Sequence, residues 1–271
     1  MSSNDTTGKT LLVATALCVF CSIFVAYAAV ALKPEQEANK QLDKNKSILA
    51  AAGLLDSGKK VKDVFDQRIE VRVVNLDTGE YLTEENASAD WEKAIVKNPV
   101  AYDQRKAAKI PGQNEMLDGA IDIAVIKRQP KYATIYLAKN EQGQVETIIL
   151  PVNGYGLWST LYGFLALKTD TTTVVGMGFY EHAETPGLGG EVDNPKWKAV
   201  WPGKKVFDEE GKISIRLIKG VVDPHHPQAA HQIDGLAGAT LTSRGVTNLV
   251  NYWLGSNGFG PYLTKVKEQG V

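Results

Sequence analysis

The sequence predicts an α+β protein: a single N-terminal transmembrane helix, then a soluble domain in which helices flank a mixed or antiparallel sheet. Three observations carry this expectation. Residues 11–32 contain no charged side chain. Beyond them, strand-like and helix-like stretches follow without the regular alternation that a doubly wound parallel sheet requires. Near the C-terminus, Val246, Leu249, Val250, Trp253 and Leu254 recur at i, i+3, i+4, i+7 and i+8, the pattern of a one-sided helix.

The uncharged run would span roughly 30 Å as a helix, the thickness of a bilayer core. The other reading of such a run is a cleaved secretory signal, and Ala26-Tyr27-Ala28 has the small-residue character of a cleavage site. The apolar core of a signal peptide is typically about 7–15 residues, so the length favours an uncleaved anchor. Residues 1–10 are then the cytoplasmic N-terminus, 11–32 the transmembrane helix in the lipid bilayer, and 33–53 a charged juxtamembrane helix ending at Gly53. Residues 54–271 form the soluble domain. No second long uncharged apolar run follows.

Within that domain, residues 69–76 alternate as a strand and Asp77-Thr78-Gly79 closes it as a turn. Residues from about 80 to 118 are polar and read as an insertion of short helices and loop. Residues 132–138 and 145–152 read as a hairpin across Asn140-Glu141-Gln142-Gly143. Residues 157–167 read as a short helix, and residues 172–180 and 213–218 as two further strands. The closing helix starts at Thr240.

Charge excludes some function classes. Thirty basic residues stand against 31 acidic ones, a net charge of −1, so nothing points to nucleic acid or to an anionic surface partner. Cys18 and Cys21 both lie in the apolar run and read as small packing residues rather than a redox pair. His182, His225, His226 and His231 are accompanied by no cysteine cluster or H-x-x-x-H pattern, so no metal site is expected. A P-loop and a G-x-S-x-G elbow are also missing from the sequence.

The segment that bears chemistry is Asp234-Gly235-Leu236-Ala237-Gly238-Ala239-Thr240. Small residues leave its backbone almost bare just before a hydroxyl side chain. Thr240 falls at the first turn of the closing helix, where unpaired N–H groups and the positive end of the helix dipole attract a phosphate. Its hydroxyl would hold a phosphate close by or be esterified by one. The plainer alternative is an ordinary loop with an N-capping threonine. Two other segments suit contact with a ligand. Glu184-Thr185-Pro186-Gly187-Leu188-Gly189-Gly190-Glu191 permits close backbone approach, or is simply a surface loop. Gly154-Tyr155-Gly156-Leu157-Trp158-Ser159 places an indole among glycines, as a ligand contact or as buried core. Lys219 and Arg244 are basic groups that could face a phosphate or be solvated surface charges, and the second reading is preferred for both.

These three segments resemble, in the same order, the motifs of the FMN-binding domain family. The 234–240 segment is similar to its flavinylation motif and keeps Asp234, Gly235, Gly238, Ala239 and Thr240. It departs at Ala237, where the family usually has Ser or Thr. Within that family, Tyr102-Asp103-Gln104-Arg105-Lys106-Ala107-Ala108-Lys109 and the final Gly258-Phe259-Gly260-Pro261-Tyr262-Leu263-Thr264-Lys265-Val266 make the chain similar to the C subunits of bacterial Na⁺-translocating NADH:quinone oxidoreductases. A related resemblance is to the G subunits of Rnf-type electron-transport complexes.

The resemblance implies FMN attached covalently through a phosphoester to Thr240, with Asp234, Gly238 and Ala239 among the cofactor-binding residues. Trp158, Thr185 and Leu188 would then contact the flavin ring. It implies an electron-relay subunit of an NADH:ubiquinone reductase, passing single electrons between centres of partner subunits, with no NADH or quinone site of its own. The flavin is implied to be installed by a separate flavin transferase. The domain is implied to lie on the periplasmic side of the bacterial inner membrane. The lysine count points the other way: only Lys9 precedes the span, while Lys33, Lys40, Lys44 and Lys46 follow it. A membrane-anchored assembly subunit without flavin is the alternative from a different class.

Overall fold

The structure, a computed structural model, describes residues 6–55 and 58–271. Residues 1–5 of the expected cytoplasmic N-terminus and residues 56–57 at the start of the expected soluble domain lie outside the described residues. The chain divides into two units, residues 1–44 and residues 45–271.

The first unit is carried by helix α1 (Thr7–Ala51), whose last turns belong to the second unit. The segments expected to be transmembrane and juxtamembrane are one helix, with Pro34 inside it. The helix is long and apolar enough to cross a membrane, with a mean hydropathy of 2.4 over its apolar window. Leu12, Phe20, Phe24 and Val30 along it are exposed.

The second unit continues with α2 (Val61–Arg68), β1 (Ile69–Asn75), α3 (Asp90–Lys97), α4 (Gln104–Ala107), β2 (Asn114–Met116) and β3 (Arg128–Pro130). Then come β4 (Tyr132–Lys139), β5 (Val145–Tyr155), β6 (Thr160–Lys168), β7 (Val174–Glu181), α5 (Pro195–Lys198), β8 (Arg216–Leu217), β9 (Gln232–Ile233), α6 (Thr240–Leu254) and α7 (Gly260–Gln269). Five strands form one antiparallel sheet in the order β1-β4-β5-β6-β7. Two small pairs, β2 with β3 and the parallel β8 with β9, lie apart from it.

Both faces of the sheet are covered. On one, Leu161, Leu165 and Leu167 of β6 join Val246, Leu249 and Trp253 of α6 and Leu263 of α7. On the other, Phe164 and Ala166 join Ile48 and Leu49 of α1 and Phe65 of α2. Each fully buried Leu, Val or Phe contributes about 1.5–3 kcal/mol of transfer free energy, which seats α6 firmly across β5. A Cβ on Gly154 would lie 2.5 Å from the Leu249 Cβ, so the bare backbone of β5 sets how closely the helix approaches.

This double covering overturns one expectation. Residues 157–167 are not a helix; β6 starts at Thr160. A strand buried on both faces is a near-continuous apolar run, and periodicity does not separate that from a buried helix. The strand expected over residues 213–218 also shrinks. Only Arg216 and Leu217 pair, with Gln232 and Ile233, while Ile213 bridges to Phe207.

Candidate functional site

Thr240 is the first residue of α6. The cap position belongs to Ala239 (φ −125°, ψ 56°), which has no side-chain oxygen to offer the first-turn N–H groups. The N-capping alternative for Thr240 is therefore not realised. Thr240 is exposed, and its hydroxyl has no hydrogen-bond partner among the described residues. Gly238 enters the helix with φ +71°, a left-handed conformation that glycine adopts without strain.

The loop before it is held from inside. The Asp234 carboxylate accepts the Val222 N–H at 2.9 Å, and its carbonyl accepts the Trp197 indole N–H at 2.9 Å. The Leu236 N–H donates to the Ser243 hydroxyl at 3.0 Å, tying the loop to the helix it leads into. Asp234 thus bonds inward, while Ala237, Gly238 and Thr240 face an open cleft of about 460 Å³. Arg216, Lys219 and Arg244 line the same cleft, so two charges that read from sequence as plain surface stand beside Thr240. Arg244 follows Thr240 by one helical turn. Residues at this spacing share one face of a helix.

The other two segments converge on the same helix. Trp158 is 65% exposed, which excludes the buried-core alternative for that indole. Thr185 and Leu188 are exposed on the tight turn closed by Leu188 and Gly190 N–H bonds to the Thr185 carbonyl. A Cβ on Gly238 would come within 2.9 Å of Leu188 Cδ2, so the turn and the 234–240 loop are in contact. A Cβ on Gly245 would lie 2.5 Å from the Tyr155 carbonyl oxygen, so α6 rests directly on the backbone that leads to Trp158.

Sequence reasoning does not single out the residue that joins these parts. Glu184 is 5% exposed. Its Oε1 accepts the backbone N–H groups of Leu157, Trp158 and Ser159 at 3.1, 3.0 and 3.2 Å. Its Oε2 accepts the Thr242 hydroxyl at 2.7 Å, in the first turn of α6. Burial alone would push this carboxyl up. The bonds from Thr242 and from the three N–H groups outweigh that and hold it below the usual carboxylate range. Glu184 is itself held: its N–H donates to His182 Nδ1 at 3.2 Å, and His182 Nε2 is hydrogen-bonded to the Asp193 carboxylate at 2.7 Å. Beside it, the Ala183 N–H donates to the Ser159 hydroxyl at 2.7 Å. A partner 58 residues away leaves no local signal, and only the glycines on both sides hint at a slot.

A membrane-crossing-length helix followed by a domain of this form defines a class, and residues 156–255 match the family model described as FMN-binding domain. The match covers β6, β7 and α6, and with them Trp158, Glu184, Leu188 and Thr240. The chain is 53% identical over 271 residues to the C subunit of the Na⁺-translocating NADH-quinone reductase of Pseudomonas aeruginosa, with 99% of each chain covered. It is 46% identical to the protein of the same name from Yersinia pestis, over 98% of this chain and 95% of that one. The crystal structure of Shewanella oneidensis NqrC superposes with a TM-score of 0.75 at 33% identity, covering 86% of this chain and all of that one. The chain belongs to the family of Na⁺-translocating NADH-quinone reductase C subunits.

Proposed function

We propose that this chain is the electron-relay subunit of a Na⁺-translocating NADH:ubiquinone reductase and carries FMN as a phosphoester on Thr240. The single observation behind the attachment point is an exposed threonine hydroxyl without a partner among the described residues, on the first turn of α6, facing a cleft with three cationic side chains. A phosphodiester there meets the positive end of the helix and the guanidinium of Arg244. Trp158 and Leu188, both exposed and both on pinned backbone, offer apolar surface for a planar ring. These residues suit the group. When bound, FMN supplies one-electron chemistry, and the protein supplies position and electrostatics.

Partner subunits of the complex are the donor and acceptor, and neither an NADH nor a quinone site is assigned to this chain. Helix α1 anchors it in the inner membrane with the domain on the periplasmic side, where a covalent tether prevents loss of the flavin. A separate flavin transferase installs it. The test is a pair of proteins, wild type and Thr240→Val, each made with such a transferase and run on a denaturing gel. Flavin fluorescence stays with the wild-type band and is lost from the variant. Equal fluorescence in both bands overturns Thr240 as the acceptor.

A further inference from the structure

Glu184 lies outside the attachment loop, yet it leads into the Leu188 turn and is bonded to the Trp158 segment and to the first turn of α6. Its two carboxylate oxygens face different elements: Oε1 the three consecutive N–H groups of residues 157–159, Oε2 the Thr242 hydroxyl of α6. The slot it fills is built from bare backbone. A Cβ on Gly156 would stand 2.7 Å from Oε1, and one on Gly189 would stand 2.7 Å from Oε2 and 2.6 Å from Thr242 Oγ1. Three N–H groups on one oxygen and a hydroxyl on the other fill the roughly four acceptor positions of a carboxylate, and a charged acceptor so engaged restrains the backbone that donates to it. The consequence is unusual for a surface tryptophan: the Trp158 side chain is 65% exposed while its own N–H is fixed at 3.0 Å from a buried charge.

We infer that Glu184 is a positioning residue for the flavin, which locks the Trp158 segment and the Leu188 turn to the first turn of α6 so that ring surface and attachment point keep one geometry. This rests on the reading that Thr240 carries the flavin. A tether through a phosphate and a ribityl chain has many rotatable bonds, so attachment alone does not orient a ring. Orientation requires that the apolar surfaces be fixed relative to Thr240, and Glu184 ties both loops to the residue two positions further along the same helix. A glutamine keeps the reach of the side chain, keeps an acceptor for the three N–H groups and can donate its amide to the Thr242 oxygen. It therefore serves as the conservative rescue. Thr242→Val keeps volume at a fully buried position and cuts only the tie to α6.

The test uses full-length protein made with the flavin transferase, in four forms: wild type, Glu184→Gln, Glu184→Ala and Thr242→Val. The readouts are the visible-band circular dichroism and the fluorescence anisotropy of the bound flavin, with the mass of the Thr240 peptide as the control for attachment. Glu184→Gln keeps both optical signals. Glu184→Ala and Thr242→Val lose the dichroism and most of the anisotropy while the Thr240 peptide still carries its flavin. If Glu184→Ala does not fold, Thr242→Val alone decides. Wild-type dichroism and anisotropy in Thr242→Val overturn the positioning role. A wild-type Thr240 peptide without flavin overturns instead the reading on which the role rests.

Discussion

Two buried carboxylates, Glu92 and Glu184, use the same chemistry at different range. Glu92 accepts the N–H groups of Ser88 and Ala89 at 2.8 and 2.9 Å, the Ser88 hydroxyl at 3.0 Å and the Tyr132 hydroxyl at 3.0 Å. Three of its four bonds close the start of its own helix, α3, within four residues, and the fourth pins that helix to β4. Glu184 also accepts four bonds, but its donors lie 25 to 58 residues away. Glu92 finishes an element, whereas Glu184 joins elements that are already complete. Removing the first should cost stability near α3. Removing the second should cost stability and disorder the surface around Thr240.

The largest expected effect is Glu184→Ala. It leaves three half-buried N–H groups and a buried hydroxyl without their acceptor, a loss of about 3 kcal/mol in urea unfolding, since donors left unsatisfied away from water are expensive. Gly245→Val follows at about 2 kcal/mol, because the new side chain forces α6 away from Tyr155. It should also weaken flavin dichroism although Glu184 is untouched, since it separates the same two elements. Glu92→Ala should cost about 1–2 kcal/mol, the scale of a lost helix cap and its bonds, and leave flavin dichroism unchanged. A change in dichroism with Glu92→Ala would erase the distinction between the two carboxylates.

Acid sharpens the same comparison with a smaller effect. Burial would raise both carboxyls, but bonds from Ala89, Ser88 and Tyr132 hold Glu92, like Glu184, below the usual range. A folded-state pKa below the unfolded value means that the unfolded chain binds more protons in the window between them. The stabilisation is complete above the ordinary carboxylate pKa of 4.5 and is lost as pH falls through the depressed folded value. Unfolding midpoints measured from about pH 7 to about pH 3 should fall less steeply for Glu184→Gln than for wild type. The smallest effect belongs to Ala237→Ser. Ala237 is exposed and its neighbour Leu236 already has Ser243 as acceptor, so stability should move by less than about 0.5 kcal/mol.

The range of each interaction also explains what the sequence discloses. Alternation in β1 and apolar runs bounded by turn residues in β4, β5 and β7 locate these strands to within about three residues, and helical spacing over residues 246–254 puts Thr240 at or near the first turn of α6. Those signals are local. β6 reads as a helix from sequence because Leu161, Leu165 and Leu167 face one core while Phe164 and Ala166 face the other, which removes the alternation a half-exposed strand would show. The site divides in the same way. Thr240, Trp158, Thr185 and Leu188 stand out by motif and are exposed in the structure. Glu184 sits inside one of those motifs with no role that a local pattern could reveal, since its role exists only once β5, β7 and α6 have come together. Lys219 and Arg244 read as surface charge because lining a shared cleft with Thr240 is a tertiary property.

The most direct measurement is the mass of the tryptic peptide that contains Thr240, from protein produced with its flavin transferase. Covalent attachment predicts an increase of one FMN less water, with fragment ions placing it on Thr240 rather than on Thr242 or Ser243. An unmodified peptide from a yellow preparation that loses its colour on unfolding contradicts it.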